Sequence, residues 1–418
     1  MDDVAVEYEP ASVKELLAEM KDTAELLIDL SYSAVLFGSR DVAEPVLELE
    51  SRMDVLQMRA RMSLLLAARS TEDAEQLAPV LGVVGAAEKI SDAAGDIAKI
   101  VLEEVGLPDA MRSALPEAIE TVVRATLRDG QLAGETLGDL NLGTETGVRV
   151  IAIKRDGEWI FSPGPEDRLL AGDTLLLRGP SEGVAGVYED ATGQSYEPPA
   201  TTSVAVEDLD RAVDAIVLMK DMAELAVDLA YGAVLFDSRP VAEEVVELEA
   251  EVDALQSRFE AWTLQAAAGH DDPVELRGLV HLGQATEIIS DAAVEISEGV
   301  LRGLGTHPVI AEAVWESDEV IGRVTVGPDS RLSGRTLGDL EVATATGMRV
   351  IGVRRPTDTT SEDTPGDLGD AGRLATEEWV VSPGPATELR AGDVVLAKGT
   401  RSGASRLAAM ADDEIGVD

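Results

Sequence analysis

The chain has 418 residues, enough for two to four domains that each bury a core, which excludes a single small module. Its 80 acidic residues against 34 basic ones leave a net charge of −46 spread along the chain, and this field repels phosphate backbones and anionic lipid, so nucleic acid is not an expected partner. Hydrophobic content of 45% argues for a folded protein over a disordered polyanion, and the lack of cysteine excludes disulfides, thiolate catalysis and iron–sulfur clusters.

Only seven of the basic residues are lysine, and an acidic, lysine-poor surface is the solution expected where molar salt screens self-repulsion. A salt-rich, halophilic cytoplasm is therefore the expected setting. The opening MDDVAVEYEP has neither the basic nor the apolar region of a signal peptide. The longest apolar stretch, 80–87, is interrupted by Gly82 and Gly85 and falls far short of the roughly 20 residues that span a bilayer. A soluble, cytoplasmic protein without direct membrane insertion follows as the expectation.

In chain order, helical periodicity comes first. Leu16, Met20, Leu27, Leu30 and Ala34 form one apolar stripe, and Val83, Ala87, Ile90, Ala94, Ile97 and Val101 another. Breaks at Gly38-Ser39-Arg40 and Arg69-Ser70-Thr71 leave three helices, near 11–37, 41–69 and 72–105, so residues 10–107 read as an up-down-up bundle. Beyond Gly106-Leu107-Pro108 the pattern changes to short β runs, such as 148–153 and 173–177, and residues 116–190 read as a small sheet-rich domain. Residues 191–207, with Gly193 and Pro198-Pro199, read as a linker.

The whole arrangement then repeats. MKDTAELLIDLSYSAVLFGSR at 20–40 returns as MKDMAELAVDLAYGAVLFDSR at 219–239, an offset of 199. LAGETLGDL at 132–140 returns as LSGRTLGDL at 332–340, and SPGP at 162–165 returns at 382–385. The second copy thus holds a bundle at 208–306 and a sheet domain at 316–411, with an insertion of 20 residues in the Pro-, Gly- and Asp-rich stretch 356–376 that reads as a solvated hairpin loop. The fold class is α+β multidomain: two three-helix bundles alternating with two small α/β domains.

Two resemblances follow from these residues. The order LAGETLGDL, GVRVIAIKRDGEWI, SPGP, RLLAGDTLLLRG, repeated as LSGRTLGDL, GMRVIGVRR, EEWVVSPGP, ELRAGDVVLAKG, resembles the C-terminal ligand-binding domain of TrkA and related regulators of potassium conductance. The helical units resemble PhoU-type domains, whose Glu/Asp-x-x-x-Asp signature is matched by Glu25/Asp29, Glu88/Asp92, Glu224/Asp228 and Glu287/Asp291. Together they imply a non-catalytic regulatory subunit of potassium or other cation transport, with a potassium channel or transporter membrane subunit as partner and self-association through the TrkA-C-like domains. The alternative they imply is a PhoU-class regulator of phosphate uptake. No G-x-G-x-x-G follows a strand, so the Rossmann domain of full-length TrkA-like regulators has no counterpart.

The residues offer two candidate sites. Carboxylates at i and i+4 share one helical face, a spacing suited to a divalent metal. Helices one and three run parallel, and Glu25/Asp29 and Glu88/Asp92 fall within roughly 3 Å of the same height, which permits a four-carboxylate site. Both pairs lie nearly opposite the apolar stripes, so they are expected to point outward, and a solvated acidic face remains the other reading. On the sheets, the resemblance implies a cyclic dinucleotide or other nucleotide along Arg149, Ile151 and Ile153 and along Arg349, Ile351 and Val353, with the alternating residues of each strand on one face. His270, His281 and His307 have no counterparts in the first copy and no activated nucleophile in sequence, so no enzyme is expected. Trp159 and Trp379 occupy matching strand positions suited to a core or an interface.

The charge sets the first prediction. A Debye length of about 3 Å at 1 M salt removes most of the self-repulsion that persists in dilute buffer. Thermal melts should fall steeply from molar to millimolar KCl, and a flat dependence would refute the halophilic setting.

Overall fold

The computed structural model describes residues 12–108, 121–130, 132–197, 207–269, 272–304, 307–317, 319–355, 378–381 and 383–412. The hairpin loop expected at 356–376 and His270 lie outside the described residues, as does the side chain of Trp379. Two compact units result, one formed by residues 1–143 and 148–319 and the other by 144–147 and 320–418. No helix among the described residues is long and apolar enough to cross a membrane.

The first unit opens with a bundle of α1 (Val13–Phe37), α2 (Arg40–Ala67) and α3 (Thr71–Leu102). Ser12 and Glu15 form a reciprocal capping box that starts α1, and Gly38, at φ 54°, ends it in the left-handed conformation that favours glycine. Ser70 caps α3 by accepting the Asp73 N–H. Both predicted stripes are buried except at Val101, but α1 is also buried on its opposite side, where Lys21, Glu25, Asp29, Ser31 and Ser33 lie.

A four-stranded antiparallel sheet follows: β1 (Thr121–Thr126), β2 (Arg149–Arg155), β3 (Glu158–Phe161) and β4 (Thr174–Gly179), in the order β1-β4-β2-β3. Between the first two strands run the short helices α4 (Leu137–Leu140), capped by Thr136, and α5 (Leu142–Thr146). After β4 comes α6 (Ser181–Thr192), which covers one sheet face through Val184, Val187 and Ala191 against Val123, Val150, Ile153 and Leu177. The Asp173 carboxylate takes a fork of hydrogen bonds from Arg155 at 2.9 and 2.7 Å. Burial alone would raise its pKa, but Arg155 and the Leu170 N–H hold it below the usual carboxylate value. The stretch expected to be a linker stays packed at its start: Tyr196 meets Tyr188 edge-on at 5.3 Å and joins the sheet's core, so burial of aromatic area outweighs the local Gly and Pro signals.

The second bundle repeats the first with α7 (Glu207–Leu235), α8 (Arg239–Gly269), a 3₁₀ turn (Pro273–Leu276) and α9 (Arg277–Leu301). α3 and α9 pack antiparallel across the pair of bundles, since Gly82 meets Glu295 while Gly299 meets Pro79. Equivalent helices related by a twofold axis that crosses them pack in this antiparallel way. At its rim Gly278 donates to the Gly106 carbonyl at 2.7 Å, an approach so close that a side chain at 278 would overlap it. A helix the sequence reading did not anticipate, α10 (Pro308–Glu316), follows, with the His307 imidazole accepting the Val309 N–H as its cap. It packs on α1 and α7 through the apolar face of Ile310, Ala313 and Val314.

The second unit holds the other sheet, β5 (Val320–Thr325), β7 (Met348–Arg355), β8 (Glu378–Val381) and β10 (Val394–Gly399), in the equivalent order β5-β10-β7-β8. A two-stranded ribbon pairs β6 (Arg335–Thr336) with β9 (Glu388–Leu389). Helices α11 (Leu337–Leu340) and α12 (Val342–Thr346) repeat the first sheet's connection, and α13 (Arg401–Ala411) starts at Thr400, whose hydroxyl accepts the Gly403 N–H. Within this unit Thr144 is hydrogen-bonded to Thr400 at 2.9 Å and to Ser402 at 2.8 Å.

One contact fastens the first sheet to α2 through a defect in that helix. Pro45 lies inside α2 and brings no N–H to the carbonyl of Asp41 four residues earlier. The Trp159 indole N–H, 2.8 Å away, supplies the missing donor, while Lys154 reaches the Asp41 carboxylate at 2.8 Å. In the second copy these positions are Glu244 and Pro240, so the device belongs to the first copy alone. Trp159→Phe should cost about 1 kcal/mol in the wild-type background. In Pro45→Ala the helix provides its own donor, so the same change should cost much less, and an unchanged cost in a chemical-denaturation double-mutant cycle would refute the assignment.

Candidate functional site

The polar side of α1 forms a buried seam with that of α7. Lys21 donates to Glu25 at 2.9 Å and lies over the Tyr231 ring at 5.4 Å, while Lys220 donates to Glu224 at 2.9 Å and lies over the Tyr32 ring at 5.6 Å. Lys220 and Tyr231 are the copies of Lys21 and Tyr32, so the contact is reciprocal. Burial lowers the Lys220 pKa, yet the charges of Glu224 and Asp221 outweigh it and hold the ammonium above its ordinary value. Burial likewise pushes the Tyr32 phenol far up, and its hydroxyl shares a 2.7 Å hydrogen bond with Thr286.

The first sheet adds arginines to this seam. Arg178 of β4, buried, donates to Asp29 at 2.9 Å and also faces Glu319 at 3.8 Å. Arg149 of β2 is the cross-strand neighbour of Arg178 and faces the same Glu319 oxygen at 3.4 Å. A cavity of about 20 Å³, room for a single water, is lined by Asp29, Tyr32, Ser33, Arg178, Lys220 and Glu224. Glu25 and Asp29 are therefore buried and engaged with Lys21 and Arg178. They do not point outward as the helical wheel of one bundle implied, because the second bundle and the first sheet cover the far side of α1. Glu224 is held by Lys220, and Asp228 is buried at the position equivalent to Asp29.

Glu88/Asp92 and Glu287/Asp291 have different neighbours. Oxygens of Asp54, Glu88 and Asp92 lie within 4.8 Å of one another, as do those of Glu249, Asp253 and Asp291. Among the described residues, the groups of this kind bring no α1 or α7 carboxylate to Glu88, Asp92 or Asp291. Helix two supplies the partners instead. Glu50/Asp54 and Glu249/Asp253 have the same i,i+4 spacing, in VLELESRMD and its copy VVELEAEVD, and this recurrence was the signal in the sequence that could have identified them. Gly95 gives Glu50 room, since a Cβ there would overlap its carboxylate. Burial and then the mutual repulsion of these acids raise the pKa of Asp92, Glu249 and Glu287. Burial and Asp253 raise Asp291, opposed by Lys89, which is ion-paired with Glu295. Carboxylate oxygens grouped in this way are the donor type that hard divalent cations take.

The strands of the expected nucleotide site are irregular. A bulge at Ile151 breaks the register of β2 with β4, so Val150 and Ile153 both reach the core under α6, and the simple alternation of Arg149, Ile151 and Ile153 on one face is lost. The same bulge recurs in β7, where the pairing with β10 jumps from Val350 to Gly352 across Ile351. Ile151, Ile153, Ile351 and Val353 are all buried, and Arg149 and Arg349 are the partly exposed members.

These features define a pair of bundles with a docked sheet, and the comparisons give that class its family. The PhoU domain matches residues 17–101 and 216–300, and the TrkA-C domain matches residues 122–191. The chain thus carries two PhoU domains with a TrkA-C domain between them. Among solved structures it is similar to PhoU from Pseudomonas aeruginosa at 13% identity, covering 70% of this chain and 96% of that one, with a TM-score of 0.40. It is also similar to the GsuK RCK domain, at 13% identity, 70% and 63% coverage and a TM-score of 0.17. For the GsuK channel bound to NAD the values are 13%, 70%, 53% and 0.18, so the chain spans less than two thirds of either GsuK chain. No curated protein matches.

The acidic groups yield an electrostatic test. The folded pKa values of Asp92, Glu287 and Asp291 are raised, so the folded state holds more protons than the unfolded state between the two values, and stability falls as pH rises through that window. Asp54→Asn and Asp253→Asn should raise Tm at pH 7 by about 1–3 °C in metal-free buffer, more than the control Glu48→Gln, and the gain should vanish near pH 4. A gain no larger than the control's would refute the repulsion.

Proposed function

We propose that the chain is a non-catalytic regulatory subunit of a potassium transport system. In this reading the TrkA-C domain senses a small ligand and the paired PhoU domains carry its state to a membrane subunit. The observation that supports it most is the buried Arg178–Asp29 ion pair, which ties a strand of the TrkA-C domain to the first PhoU helix, so that a change in one is felt by the other. Arg149 and Arg349 are the proposed polar contacts of the ligand. At each acidic group, one divalent cation is proposed, held by Asp54, Glu88 and Asp92 and by Glu249, Asp253 and Asp291, with Glu50 and Glu287 beside them.

The duplicated acidic groups also favour a second reading, regulation of phosphate uptake, in which the PhoU domains are the working part. Partner identity separates the two. Purified chain, in molar KCl, should co-purify with a potassium channel or transporter subunit, and Arg178→Met should weaken this at least tenfold while leaving the bundles folded. Association with the ATPase subunit of a phosphate transporter, and none with a potassium subunit, would overturn the first reading in favour of the second.

A further inference from the structure

At the rim of the bundle pair, beside the contact of Gly278 with Gly106, a cavity of about 460 Å³ opens between residues of the first copy and the 3₁₀ turn of the second. Its apolar wall is built from Val35 of α1, Ile100 and Val101 of α3, and Leu107, and its charged groups are Arg40, Glu104 and Glu275. Three helix ends meet here. α1 and α3 finish at Phe37 and Leu102 and bring the negative end of the backbone dipole, whereas α2 starts at Arg40 and brings the positive end.

The three charged side chains do not neutralise one another. Arg40 donates to the Leu102 carbonyl at 2.6 Å, and no carboxylate among the described residues pairs with it. Its counterpart Arg239 is ion-paired with Glu243 at 2.9 Å, one turn along the same helix, but Arg40 leaves the equivalent Glu44 aside and turns to the end of α3. Neither Glu104 nor Glu275 has an ion pair or a side-chain hydrogen bond among the described residues. Glu104 has φ 52°, in the left-handed region, where its counterpart Gly303 has φ 65°. A carboxylate therefore stands where glycine would relieve the backbone. The counterpart of Glu275 is Gln76, so the pseudo-symmetric rim lacks both acids.

We propose that this cavity binds a basic amino acid. One guanidinium and two carboxylates match one anionic and two cationic groups, with Arg40 taking the ligand's carboxylate and Glu104 and Glu275 its ammonium groups. The methylene stem between those groups suits the apolar wall. The cavity falls within the range of about 300–1,000 Å³ that small-molecule sites occupy. The net charge of −46 attracts a ligand of net positive charge. Because Glu275 belongs to the second copy and Arg40 and Glu104 to the first, the bound ligand fastens the two copies across the rim. The site is separate from the ligand role proposed for the TrkA-C domain and does not rest on it.

The test titrates the full chain in molar KCl by calorimetry with L-lysine, with norleucine, which lacks the side-chain ammonium, and with cadaverine, which lacks the carboxylate. L-lysine should bind at one site per chain, tighter than either analogue by about fivefold or more. Arg40→Gln should weaken lysine by about fivefold and leave cadaverine unchanged, and Glu275→Gln should weaken both. Glu104→Gly should raise the melting temperature, because the backbone strain is relieved, while lysine affinity falls, a split that a merely structural role does not give. Arg239→Gln, at the opposite rim, should leave lysine binding unchanged. Bound lysine should slow amide hydrogen exchange at Gly278, whose N–H closes the rim. Failure of L-lysine to bind, equal binding of the three probes, or unchanged lysine affinity in both Arg40→Gln and Glu104→Gly would overturn the inference.

Discussion

The constraint on which the first unit depends is the need to pair every charge buried between α1 and α7. Lys21 and Lys220 are almost fully withdrawn from water, and each is stabilised by a carboxylate one turn along its own helix and by an aromatic face from the other copy. Removing one partner from a buried pair of this kind typically costs about 3–5 kcal/mol. The two bundles are therefore joined by paired charges as well as by apolar area, with the α3/α9 contact supplying close packing at glycine.

Within this pseudo-symmetric frame the copies have diverged where the first sheet docks. Tyr32 is hydrogen-bonded to Thr286, whose counterpart in the first copy is Ala87. Arg178 corresponds to Lys398, which replaces a planar fork by a point charge. The Pro45 gap filled by Trp159 occurs only in the first copy. A duplicated chain can hold such differences where a homodimer of one gene product cannot, because each half mutates separately.

Carboxylates with the same i,i+4 spacing have opposite fates. Glu25, Asp29 and Glu224 of the first helices are neutralised by the protein's own lysine and arginine, and those of helices two and three remain crowded against one another, with the pKa values of Glu50, Asp92, Glu249, Glu287 and Asp291 raised. Spacing along a helix places two oxygens on a face, but what lies across that face decides whether they become an ion pair or a cation-binding group.

Much of the architecture was legible in the sequence. The 199-residue repeat, the apolar stripes and the breaks at Gly38 and Ser70 determined two three-helix bundles, because helical periodicity and capping are local properties of the chain, and the repeated segment order carried the resemblance of the first sheet unit to TrkA-C. Asp54 and Asp253 were equally readable by the same spacing rule. Other features were decided only in three dimensions. The burial of Glu25 and Asp29 came from a second bundle and a sheet that no single helical wheel includes. The bulge at Ile151 came from pairing with β4, and the ion pair of Asp29 with Arg178 from elements 149 residues apart in sequence. Charge and burial are properties of the neighbours a residue acquires on folding, and those neighbours lie up to 302 residues away along the chain.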